Sequence, residues 1–148
     1  MKHVWLMKHE NKFIFFWLPV FLYCTIIFIQ SSFPSPEQIP ELPYIDKVLH
    51  LTAYGIMGAL FLRAYRTSES IGRNIKLVIF LSILSTTVYG VSDEIHQSYV
   101  SSRSSEILDV LADFIGSVCG TFVYWRLTIK FFSGFPYNSR IDKIANFL

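Results

Sequence analysis

Five of the chain's eleven carboxylates, Asp93, Glu94, Glu106, Asp109 and Asp113, crowd into one short stretch with His96 and Arg103 among them. Apolar runs flank this stretch on both sides, and ionisable groups persist in such surroundings only when they satisfy one another or are used. A second polar element, Asp46-Lys47-Val48-Leu49-His50, opens another apolar run. Carboxylate and imidazole side chains in a partly desolvated cleft are suited to acid–base chemistry, and the planar fork of Arg103 suits a phosphate or a carboxylate. On this basis the catalytic candidates are Asp46, His50, Asp93, Glu94, His96, Asp109 and Asp113. Tyr54, Tyr89, Gln97 and Arg103 are the candidate ligand contacts.

Each chemical reading has a plainer rival. Asp109 and Asp113 stand one helical turn apart and repel unless a proton, a cation or Arg103 lies between them. A network in which Arg103, His50 and His96 only neutralise the acids and pin helices together would have the same composition. His50, His96 and the carboxylates offer nitrogen and oxygen donors, but Asp93-Glu94-Ile95-His96 matches no established metal spacing. No cofactor is assigned, therefore, and a metal ion stays open. The serines at 92, 98, 101, 102, 104 and 105 carry no GxSxG-type elbow, which leaves little for nucleophilic catalysis.

The elements that must position these groups are apolar. The chain has 148 residues, of which 52% are hydrophobic and 16% charged, too greasy for an ordinary soluble domain and too short for two. Apolar runs over 13–30, 48–65, 75–91 and 107–125 are each long enough to cross a bilayer as a helix. The expected fold is all-α, a single integral membrane domain of four transmembrane helices spanning 1–148. Pro19 lies inside the first run, and Pro34, Pro36, Pro40 and Pro43 make 31–44 a loop. The first run lacks a clear cleavage site and reads as a retained anchor. The tail, 127–148, interleaves aromatic residues with charge and reads as an interfacial helix. Cys24 and Cys119 fall in apolar runs without CxxC spacing and are expected to be small buried hydrophobes.

Orientation follows from charge. With the N-terminus cytoplasmic, eleven of the thirteen basic residues lie inside and only Lys47 and Arg103 lie outside, which gives an N-in, C-in arrangement. Both polar elements then sit at the outer side. Helical spacing sorts their faces: Asp46, His50 and Tyr54 share one stripe, Ser82, Thr86, Tyr89 and Asp93 a second, and Asp109, Asp113, Gly116 and Gly120 a third. A lipid-facing carboxylate at mid-span costs about 2.5–3.5 kcal/mol, so the three stripes should face one another. Gly116 and Gly120 form a GxxxG pair that lets another helix approach on that side. The net charge of +2 comes without a basic stripe, and no nucleic-acid partner is expected.

The proline-rich loop, Asp46-Lys47-x-x-His50 with Tyr54, Asp93-Glu94-x-His96-Gln97, Arg103, Asp109 and Gly116 together resemble the VanZ-like family of bacterial membrane proteins, over roughly Ser31 to Gly120. The resemblance implies a multi-pass protein of the bacterial cytoplasmic (inner) membrane. The family takes its name from a protein that lowers susceptibility to teicoplanin. Two positions depart from its pattern: Asp113, where an Asn is expected, and Val100-Ser101-Ser102, which lacks a Pro-Gly before Arg103. The leading expectation is an outward polar pocket that binds an anionic or sugar-bearing envelope molecule, such as a lipid-linked or glycopeptide ligand, and so affects envelope or antibiotic response. The alternatives are a membrane-embedded hydrolase or transferase acting on lipid by Asp/His chemistry, and a structural partner subunit of a membrane complex.

Overall fold

The structure, a computed structural model, describes residues 9–34, 44–100, 103 and 105–133. Four helices follow one another: α1 (His9–Ser31), α2 (Ile45–Tyr65), α3 (Ile75–Gln97) and α4 (Ile107–Ser133). No strand occurs among the described residues, and all four helices are long and apolar enough to cross a membrane. The boundaries differ from the apolar runs where polar residues find partners inside the bundle. α2 starts at Ile45, so Asp46 and Lys47 belong to its first turn, and α3 runs on to Gln97 instead of stopping at Val91. Asn74 starts α3 by accepting the Leu77 N–H on Oδ1 at 3.2 Å, a cap for one otherwise orphaned donor.

Of the expected interfacial tail, 127–133 is helical and continuous with α4, and the remainder, 134–148, lies outside the described residues. Pro36, Pro40 and Pro43 also lie outside them. Cys119 is exposed on the outer surface of α4, not buried, and Cys24 is half-buried. A helix in lipid has no reason to turn a small thiol inward, since the acyl chains solvate it equally well.

Apolar side chains such as Phe80, Leu84, Val88, Leu111, Phe114 and Phe122 cover the outside of the bundle. Its interior holds Tyr54, Met57, Leu62 and Val78 together with Ser82, Thr86, Asp93, Glu94, Asp109, Asp113, Ser117 and Thr121. This distribution suits lipid, where polar groups must find partners within the protein. Helices α2 and α4 approach most closely. A Cβ on Gly116 would run into the Leu51 carbonyl, and one on Gly120 into the Gly55 carbonyl, so backbone meets backbone along this seam. Helix α1 is joined to the others by its surface rather than by shared backbone: the Tyr23 hydroxyl donates to the Ala53 carbonyl (3.1 Å) and the Tyr89 hydroxyl to the Cys24 carbonyl (2.6 Å). Trp17 packs edge-on against Tyr65 at 5.2 Å.

Candidate functional site

The N-terminal turns of α2 and α4 and the C-terminal turns of α3 meet at one end of the bundle, and nearly all of its buried charge is concentrated there. On α2, Lys47, His50 and Tyr54 follow steps of three and four, one inward face. The Lys47 ammonium ion-pairs with Asp46 Oδ2 (2.6 Å), Glu106 Oε2 (2.7 Å) and Asp109 Oδ1 (2.8 Å). One turn deeper, His50 Nδ1 lies 2.9 Å from Asp113 Oδ1 and 4.0 Å from Glu94 Oε1. Deeper again, the Tyr54 hydroxyl and the Gln97 amide both donate to Asp93 Oδ2 at 3.0 Å.

Three of the acids, Asp93, Glu94 and Asp113, share a pattern: one oxygen is held and the other is not. Glu94 Oε2 accepts the backbone N–H of Glu106 at 3.1 Å, so a side chain of α3 satisfies one of the N-terminal donors of α4. Its other oxygen, Oε1, is buried without a hydrogen-bond partner, as are Asp93 Oδ1 and Asp113 Oδ2. Asp109 Oδ1 sits beside the Lys47 ammonium at ion-pair distance without hydrogen-bond alignment. Asp93 and Glu94 are 4% exposed, Asp109 5% and Asp113 1%, so water cannot readily supply the missing donors. Gly90 lets α3 approach here: a Cβ would stand 2.6 Å from Asp113 Oδ2 and 3.1 Å from the Tyr54 ring.

Six carboxylates therefore face one ammonium and one imidazole in this chamber. Charges a few ångströms apart in a medium poorer than water in screening repel strongly, so the chamber favours cations and hydrogen-bond donors over anions.

The expected site residues divide into two groups. His50, Tyr54, Asp93, Glu94, Gln97, Asp109 and Asp113 converge, and Asp46 joins them at the rim through Lys47, with its own side chain largely exposed. His96, Tyr89 and Arg103 are directed to α1 instead. His96 Nε2 is 3.0 Å from Ser32 Oγ, and its ring lies 4.6 Å from that of Phe28. Arg103 donates from Nε to the Phe33 carbonyl and from a terminal nitrogen to the Gln30 carbonyl, both at 2.9 Å. The exposed carbonyls at the end of α1 attract that guanidinium, and Lys47 takes the place beside the acids foreseen for Arg103. Lys47 and Glu106 were missing from the candidates. The signal that identifies them is the three-residue step from Lys47 to His50 and from Glu106 to Asp109.

A bundle of four membrane-spanning helices with a carboxylate-rich chamber at one end of its interior defines the class: a polytopic membrane protein with a built polar site. The chain belongs to the VanZ/LLP1 family, whose model matches residues 6–130. No curated protein and no solved structure matches it.

Proposed function

We propose that the chamber opens to the outer side of a bacterial cytoplasmic membrane and binds the polar head of a lipid-linked envelope molecule rich in hydroxyl groups. The carrying observation is the set of buried acceptor atoms without donors, Asp93 Oδ1, Glu94 Oε1 and Asp113 Oδ2. A sugar head brings several O–H donors at once, and a lipid tail is already solvated by the bilayer around the helices. The excess of carboxylates argues against direct contact with an anionic group, which narrows the expectation of an anionic or sugar-bearing ligand to the sugar-bearing one. The outward orientation rests on the basic residues: Arg63, Arg66, Arg73, Lys76 and Arg126 all belong to the end of the bundle opposite the chamber.

A second reading, acid–base chemistry on a bound lipid, is favoured by the 2.9 Å contact between His50 Nδ1 and Asp113 Oδ1, which fixes the imidazole by a carboxylate. One experiment addresses both. Protein in detergent or nanodiscs is incubated with polyprenyl-linked sugars, and binding is read by native mass spectrometry and turnover by chromatography of the lipid. Retained complex that weakens in Glu94→Gln and Asp113→Asn supports binding. Product that disappears in His50→Gln supports the enzyme, and equal retention by all variants removes the chamber from the ligand's path.

A further inference from the structure

The same end of the bundle carries two triads able to surround a cation: Asp46, Glu106 and Asp109, and His50, Glu94 and Asp109, with the donor atoms of each within 4.8 Å of one another. The first is wholly served, because the Lys47 ammonium touches all three of its carboxylates, and the second shares only Asp109 with it. No lysine or arginine among the described residues is recorded in contact with Glu94, and its only nearby cationic partner is the imidazole.

We infer that His50, Glu94 and Asp109 form a binding site for a divalent metal ion of the zinc or manganese class, with Asp113 as the residue that orients His50. This deepens the reading above and rests on its chamber being accessible from outside. The independent observation beyond the acidic cluster is Glu94 itself. Glu94 is 4% exposed, its Oε2 is tied to the Glu106 amide, and its Oε1 has no hydrogen-bond partner and lies 4.0 Å from Nδ1 of the His50 ring.

Chemistry of the donors selects the ion. One imidazole and two carboxylates suit zinc or manganese, whereas magnesium and calcium prefer oxygen alone. Metal–donor bonds of about 2.0–2.2 Å bring neighbouring donors to roughly 3–3.5 Å, so side-chain rotation closes a 4.8 Å cluster onto one ion. Asp113 Oδ1 accepts from the Nδ1–H of His50 at 2.9 Å, the carboxylate–histidine pairing that sets the tautomer and leaves Nε2 as the nitrogen that ligates. Three protein donors leave coordination positions for an oxygen of the lipid head, which would also let an anionic phosphate enter a chamber that otherwise repels it.

The test uses the full-length protein with a tag that contains no histidine. After EDTA stripping and dialysis, it is titrated with ZnCl2 and MnCl2 by calorimetry, and the manganese-loaded form is studied by electron spin echo envelope modulation. Stoichiometric uptake is expected, with a nitrogen-14 coupling from a coordinated imidazole. His50→Gln abolishes that coupling, Glu94→Gln and Asp109→Asn weaken binding, and Asp113→Asn lowers metal affinity about 10–100-fold. The wild type decides by itself should a variant fail to fold: no stoichiometric uptake, or bound manganese without nitrogen coupling, overturns the inference. Sugar-lipid binding is measured alongside with and without EDTA. Lipid binding that survives without any metal uptake removes the ion and leaves the pocket reading standing, while metal uptake without lipid binding does the reverse.

Discussion

Lys47 holds the most exacting position of any single residue. Its ammonium is the hub of three ion pairs, with Asp109 almost wholly buried and Asp46 and Glu106 at the rim. Removing one partner of a buried ion pair leaves the other charge uncompensated, which costs about 3–5 kcal/mol, and here the remaining acids repel one another as well. Lys47→Met keeps the length of the side chain and loses the charge. It is expected to lower stability by about 3 kcal/mol, the low end of that range because two of the three acids are half-exposed. Thermal or denaturant unfolding in detergent measures the loss. A second substitution, Asp109→Asn, should recover part of it, since a neutral amide needs less compensation; an unchanged double variant would count against ion pairing as the reason.

At the level of elements, the α2–α4 seam decides whether the chamber exists at all. The Lys47–His50–Tyr54 face and the Asp109–Asp113 face meet because backbones touch at Gly116 against Leu51 and at Gly120 against Gly55. Forcing extra atoms into a packed contact costs typically about 1–3 kcal/mol. Gly120→Leu cannot be absorbed by a flexible side chain, since its neighbour is main chain, and it should separate the two helices. Stability then falls by an amount in that range, and a cysteine pair introduced across the seam cross-links more slowly than in the parent. The GxxxG spacing was visible in the sequence, and so was the face it occupies. Its partner was not, because Gly55 and Leu51 are chosen by how the helices cross and not by any property of α4.

For the molecule as a whole, the arrangement of charge relative to the bilayer is the testable property. Tyr99 follows α3 at the chamber end, and Ser70 lies between α2 and α3 at the opposite end. With Cys24 and Cys119 replaced, a single cysteine at Tyr99 should react with a membrane-impermeant maleimide added to intact cells. One at Ser70 should react only after the membrane is opened. The reverse labelling pattern would invert the protein and place the chamber on the cytosolic side.

Apolar length and helical period were enough to establish four helices and the inward faces of His50, Tyr54, Asp93, Asp109 and Asp113. Those follow from local physics: a run long enough to cross a membrane must satisfy its backbone as a helix, and its polar stripe must avoid lipid. Tertiary structure alone decided which cation meets which acid. Arg103 is close in sequence to Asp109 yet bonds the carbonyls of Gln30 and Phe33, while Lys47, far away along the chain, lies 2.8 Å from Asp109 Oδ1. Long flexible side chains reach whatever the packing brings within range, and that choice depends on how helices distant in sequence cross, which no local pattern records.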